Sequence, residues 1–144
     1  MKQTKDPPPA NGPTQSQSVP AGNKAPVEFL EKYVIHEDSR GGFLGIINKY
    51  TWGELNYIHT RAGVEQGNHY HRYTKELFYI LSGEIEVHVK NIVTHEEHQF
   101  RAKPHMVFII DPYVVHTFTT IEDSTWLNML SHRIDEEKPD FYKV

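Results

Sequence analysis

Four side chains in this 144-residue sequence have the types and spacing of a metal site. His69 and His71 stand two residues apart, Glu76 follows five residues later, and Gly63 and Gly83 bracket all three. In a strand, residues i and i+2 share a face, so both imidazoles can bind one ion. Glu76 opens the next strand-like run and reaches the same point if Arg72–Lys75 loops back. Imidazole nitrogen and carboxylate oxygen suit a borderline divalent ion such as Zn, Fe, Mn or Ni. His116, on another candidate strand, completes a set of three histidines and one carboxylate. Four protein ligands leave an octahedral ion two open positions for a substrate or dioxygen. A lone His-X-His pair would be read as ordinary polar residues of a sheet; the added carboxylate, third histidine and flanking glycines favour a metal.

Ten histidines are many for this length, but the others lack such a constellation. His88, His95, His98, His105 and His132 read as surface groups or as partners of the ligands, and His36 as lying outside the barrel. There is no cysteine, so neither disulfides nor thiolate ligands are available. A formal charge of −4, from 15 basic and 19 acidic residues, gives no reason to expect a nucleic-acid partner. No apolar run approaches the roughly 18 residues needed to span a bilayer. The N-terminal MKQTKDPPPANGPT has no apolar stretch of the kind a secretory signal needs. Cytoplasm is the expected location.

Elements must position the four residues, and the pattern along the chain is one of short strands. Residues 1–26, holding Pro7, Pro8, Pro9, Pro13, Pro20 and Pro26, read as a disordered Pro/Ser/Gln-rich tail. Residues 27–144 then form one domain of a size that buries a core. Val27–Val34 is compatible with either a short helix or a lead-in strand. Asp38-Ser39-Arg40-Gly41-Gly42 is a turn signal, and Phe43–Lys49 a strand candidate. Leu55–Arg61 alternates, with Leu55, Tyr57, His59 and Arg61 on one face and Asn56, Ile58 and Thr60 on the other. Leu77–Leu81 and Glu84–Val89 follow as two strands separated by a Ser82-Gly83 turn. Asn91–Lys103 is polar and reads as a loop or weak hairpin extension. Met106–Ile110, Val114–Thr120 and Trp126–Ser131 close the series, with Phe141 and Tyr142 in a charged tail able to dock on the barrel. Some eight short strands without a long helix predict an all-β jelly-roll barrel.

The stretch Gly63–Gly83 fits the first cupin motif, G(X)5HXH(X)3,4E(X)6G, at Gly63, His69, His71, Glu76 and Gly83. The second motif, G(X)5PXG(X)2H(X)3N, is degraded. Pro112 lies four residues before His116, Tyr113 takes the glycine position and Thr120 the asparagine position. His116 still falls where the family places its last ligand. DSRGGF, GNHYHRYTKELFYILSG and EEKPDFYKV resemble one branch of the cupin superfamily (RmlC-like jelly rolls), over roughly residues 38–144. That branch is the metal-binding cupin domains of capsular-polysaccharide and sugar-nucleotide biosynthesis, with dTDP-4-dehydrorhamnose 3,5-epimerases and ketoisomerases as remoter relatives.

The resemblance implies a single-domain double-stranded β-helix and one divalent ion, zinc by preference, at His69, His71, Glu76 and His116. It also implies a homodimer and a sugar-like small-molecule substrate, with no nucleic acid and no membrane. An epimerase- or isomerase-like enzyme acting on a keto-sugar or sugar nucleotide is the expected function. Such chemistry needs a general base near the ion. Tyr57, His59 and Arg61 are the candidates, because their shared face is too polar for plain core; Tyr79 and Asn128 are further ones. Two other classes fit the same ligands. One is a metal-dependent dioxygenase or decarboxylase, and the other a non-catalytic module that binds metal or sugar.

Overall fold

The computed structural model describes residues 25–144; the expectation for the tail through residue 24 lies outside them. Ten strands, and no helix among the described residues, make the domain all-β as predicted. In chain order they are β1 (Val27–Leu30), β2 (Val34–Asp38), β3 (Gly41–Gly45), β4 (Glu54–Thr60) and β5 (Glu65–Tyr70). The series continues with β6 (Glu76–Asn91), β7 (Glu97–Ala102), β8 (Val107–Ile110), β9 (Val114–Leu130) and β10 (Tyr142–Lys143). Among them no helix is long and apolar enough to cross a membrane.

Two long strands are the spine. β6 and β9 run antiparallel from Glu76↔Leu130 to Asn91↔Val114, with register shifts between Ile80 and Ile85. The four short strands expected here are thus two continuous ones. Ser82-Gly83 bends β6 within its pairing instead of ending it. On one side of the bend, β8 pairs the first half of β6 and β4 the second half of β9. On the other, β7 pairs the second half of β6 and β5 the first half of β9. The bend folds one hydrogen-bonded array into two facing layers.

Alternation along these strands sorts the apolar residues. Phe78, Ile80, Ile85, Val87, Val89, Phe108, Ile110, Phe118 and Trp126 fill the interior between the layers. Leu77, Tyr79, Val107 and Ile109 point the other way, into a second cluster closed by Leu44, Ile46, Ile47 and Trp52. The segment after β3 therefore lies over the sheet as a cover, and the Phe43–Lys49 strand is confined to Gly41–Gly45. β2 and β3 pair as a separate hairpin across the predicted Ser39-Arg40 turn. Val27–Val34 resolves as strand β1 and the start of β2.

Candidate metal centre

β5 and β9 bring the site together. His69 pairs directly with His116 across the two strands, just after a bulge at Asn68. His71 lies one residue beyond the end of β5, and Glu76 is the first residue of β6. The turn between them returns to the same point because its amides are capped. Arg72 N–H donates to Oδ1 of Asp140 at 2.8 Å, while Tyr73 and Thr74 donate to Oδ2 at 3.0 and 2.8 Å. Lys75 N–H donates to Ser131 Oγ at 2.8 Å. Beneath the four residues lie Phe78 and Phe118, whose rings flank His116 and give the site an apolar floor.

Each imidazole is tethered to main chain. His116 Nδ1 donates to Val114 O at 3.1 Å, His71 Nδ1 donates to Asp140 O, and His69 hydrogen-bonds the Gly67 backbone. Held in this way, the rings turn Nε2 toward a common centre. His116 Nε2 lies 3.1 Å from His69 Nε2 and 2.9 Å from Glu76 Oε2, and His71 Nε2 lies 3.4 Å from the same oxygen. The four potential ligand atoms all fall within 4.8 Å of one another.

This arrangement fits a cation. With Nδ1 of His116 committed to a carbonyl, its Nε2 faces that of His69 at 3.1 Å, and two nitrogen lone pairs at that distance repel unless a proton or cation lies between them. Nε2 of His71 and Oε2 of Glu76 are buried with no partner of hydrogen-bond geometry, although Glu76 stands at ion-pair distance from two rings. Leaving such atoms unsatisfied is unfavourable, and a shared ion removes the penalty. Burial alone would raise the Glu76 carboxyl, but the close approach of the His116 and His71 rings holds it well below the usual carboxylate range. Burial and the neighbouring His116 push His69 down to about 4. His71 moves up: burial opposes this, but the nearby Glu76 carboxylate and the Asp140 carbonyl outweigh it.

A cavity of about 240 Å3 opens onto the cluster. Tyr73, Asn128, His132, Arg133, Asp140 and Phe141 line it along with His69, His71 and Glu76. Tyr73 and His132 meet edge to face at the mouth, with ring centroids 5.2 Å apart. In the sequence His132 reads as a surface group or ligand partner, and Tyr73 sits in the variable turn of the first motif. Of the lining, Asn128 and, in the docking tail, Phe141 are signalled in the sequence.

The structure places Tyr57, His59 and Arg61 away from the cavity. All three side chains are on the exposed face of β4, Tyr57 being 66% accessible, and none lines the cavity. The opposite face turns inward because its polar groups find partners there: Asn56 Nδ2 donates to Asn128 Oδ1 at 3.3 Å, and Thr120 Oγ1 donates to Thr60 Oγ1 at 3.0 Å. Tyr79 is likewise remote, buried in the outer cluster with its hydroxyl 2.8 Å from His105 Nδ1. Asn128 alone of these candidates reaches the cavity.

The sequence matches the family described as polysaccharide biosynthesis C-terminal domain over residues 36–142. It is 26% identical over 112 residues to a UDP-2-acetamido-2,6-beta-L-arabino-hexul-4-ose reductase of Pseudomonas aeruginosa. That alignment covers 75% of this chain and 30% of the reductase, so the chain spans under a third of that relative. Among solved structures, the capsular polysaccharide assembling protein CapF of Staphylococcus aureus superimposes with a TM-score of 0.61 at 21% identity, covering 77% of this chain and 34% of CapF. QdtA, a sugar 3,4-ketoisomerase of Thermoanaerobacterium thermosaccharolyticum solved with TDP, gives 0.66 at 19% identity, covering 83% and 88%. These likenesses establish the cupin jelly-roll fold.

Proposed function

The chain belongs to the polysaccharide biosynthesis C-terminal domain family, and on that premise we propose that it is a metal-dependent, isomerase- or epimerase-like enzyme acting on a nucleotide-linked keto-sugar. The observation that carries the proposal is the set of three imidazoles, each tethered to main chain, whose Nε2 atoms converge with the buried Glu76 carboxylate. His69, His71, Glu76 and His116 would hold one divalent ion, zinc in first place. When bound, such an ion acts as a Lewis acid that polarises a carbonyl oxygen and acidifies the carbon beside it.

The remaining groups supply positioning and proton transfer. The cavity is the size of a hexose ring rather than a whole sugar nucleotide, so the sugar enters and the nucleotide lies outside. Arg133 at the mouth offers a guanidinium to its diphosphate. Asn128, at the inner end, offers an amide to a sugar hydroxyl. His132 accepts a proton from the carbon α to the carbonyl; in an isomerisation it returns that proton to the neighbouring carbon, and in an epimerisation Tyr73 donates its own proton to the opposite face. Ser131 Oγ, 3.0 Å from His132 Nδ1, orients the ring. Support for a sugar-nucleotide substrate comes from the relatives: the P. aeruginosa protein is a UDP-sugar reductase, and QdtA was solved with TDP. A homodimer belongs to the same proposal, supported by the projecting β2–β3 hairpin with Ile35 and Phe43 exposed.

Incubation of the metal-loaded protein in deuterium oxide with a panel of nucleotide-linked 4-keto sugars is expected to place deuterium at a carbon α to the ketone. Absence of exchange across the panel would refute the proposal, and oxygen consumption by an iron-loaded sample would replace it with the dioxygenase class.

Acid should weaken metal binding in a defined direction. A ligand imidazole must lose its proton to bind. Because His71 titrates above its ordinary value of 6.5, its proton begins to compete with the ion before the pH has fallen to 6.5, whereas His69 competes only near pH 4. Zinc affinity measured by competition at pH 8, 7 and 6 is therefore expected to be full at the alkaline end and to fall by roughly tenfold per pH unit once His71 protonates. Constant affinity from pH 8 to 6 would contradict the assignment of His71.

A further inference from the structure

We infer that Asp140 is a positioning residue of the metal centre and that the 139–144 arm carrying it sets the orientation of two of the three histidines. The inference rests on the metal reading of the same site. Asp140 acts through both its side chain and its main chain. Its carboxylate accepts the three consecutive N–H groups of Arg72, Tyr73 and Thr74, which occupy the turn joining the histidine pair to Glu76. The same residue's carbonyl accepts His71 Nδ1–H. One residue thus ties the turn and the ring together, so that the proton on His71 is held at Nδ1 and the lone pair at Nε2 faces Glu76.

The next residue acts on His69. The Phe141 ring lies 4.3 Å from the His69 ring, centroid to centroid, at an interplanar angle of 32°. It covers the imidazole from the cavity side. β10 keeps the arm in register by pairing Tyr142 with Tyr70 and Lys143 with His69. Beyond it, Val144 N–H donates to Asn68 O and Asn68 Nδ2 donates to Val144 O, both at 3.3 Å. On the outer side, Tyr142 stacks on Tyr70 at 5.4 Å and receives the Arg72 guanidinium 4.0 Å above its ring. The arm is therefore joined along the whole length of the His-X-His segment. An arm that served only to cover a sheet edge would need the strand pairing and the tyrosine stack, but not a carboxylate placed in the loop amides.

Partners that orient metal-bound histidines are typically worth about 10–100-fold in metal affinity. Asp140→Ala in the full chain is expected to lower zinc affinity by that factor while leaving the circular dichroism spectrum unchanged. Asp140→Asn, which keeps one acceptor oxygen but sets an amide donor against a backbone N–H, should fall between the two. Nitrogen-15 NMR of the histidine side chains, recorded on the zinc-free protein above the His71 titration, gives a reading independent of the ion. Wild type should show His71 protonated at Nδ1 alone, and Asp140→Ala a mixture of tautomers. A wild-type protein that binds no zinc would sink the metal reading, yet the tautomer shift would still support the role of Asp140. A single Nδ1–H tautomer in Asp140→Ala, or zinc affinity equal to wild type, would overturn it.

Discussion

His116→Ala is expected to abolish stoichiometric metal binding, with affinity falling by more than the roughly 100-fold upper range seen when only an outer partner of a ligand is lost. His116 is 1% accessible, its Nδ1 is committed to Val114 O, and its Nε2 is the atom nearest to both His69 Nε2 and Glu76 Oε2. It is the only ligand contributed by β9, and the others reach the centre from the opposite side of the β5–β9 pairing and from β6. Alanine leaves the centre one donor short and the buried Glu76 carboxylate without its closest ring partner. Losing one partner of a buried pair typically destabilises by about 3–5 kcal/mol, so the melting temperature should fall as well. Metal analysis of protein purified without chelator checks the first effect, and thermal unfolding the second. His59→Ala, on the exposed face of β4, is the control and should keep its full metal content.

Gly67→Ala is expected to damage fold and site together. Gly67 has φ +102°, and a Cβ there would lie 2.5 Å from the carbonyl oxygen of His116 and 3.2 Å from the Thr117 Cα. Every obstructing atom belongs to the β9 backbone, so no side chain can swing aside. β5 must move away from β9 at the point where His69 faces His116. The backbone conformation and the overlap together should destabilise by about 2–5 kcal/mol, read by chemical denaturation. Zinc affinity of the folded fraction should fall too, because the ring tethered at Gly67 moves with the strand. Gly63→Ala separates the two contributions. Gly63 has φ +84° but nothing within 4 Å of its Cβ, so only the conformational part, about 1–2 kcal/mol, should be lost. Equal effects at the two positions would show that the approach to β9 is not what matters.

The histidine pair of the cluster was readable because it obeys a period that the sheet preserves. His69 and His71 keep their i, i+2 relation even though a bulge at Asn68 precedes them. His116 was readable because it keeps the last-ligand position of a damaged second motif, and the structure sets it opposite His69 across the two strands. The length of the strands was not readable. Ser82-Gly83 carries a turn signal, and only the pairing carried across it with register shifts, Ser82 to Thr125 and Glu84 to Glu122, makes it a bend. β7 was hidden by its surface. Its outward residues Glu97, Gln99 and Arg101 are charged or polar and match Lys90 and Glu86 across the pair, Lys90 Nζ to Glu97 at 2.9 Å and Arg101 Nε to Glu86 at 3.0 Å. Only Phe100 and Ala102 carry the apolar alternation, too few to mark a strand.

Which face of β4 turns inward was not legible for a related reason. Hydrophobic and polar residues alternate weakly there, and Leu55 and Tyr57 look more like core than Asn56 and Thr60 do. The inward choice depends on Asn128 and Thr120, far away in sequence, which supply hydrogen bonds to the interior amide and hydroxyl. The cavity mouth was hidden too, since Tyr73, His132 and Asp140 meet only through tertiary contacts between three separate segments.

X-ray absorption at the zinc edge of the loaded protein tests the central claim most directly. A first shell of nitrogen and oxygen at about 2.0–2.1 Å, with the multiple scattering of three imidazoles and one ion per chain, is the predicted result. A protein that takes up no ion, or a spectrum with fewer than two imidazoles, would contradict it.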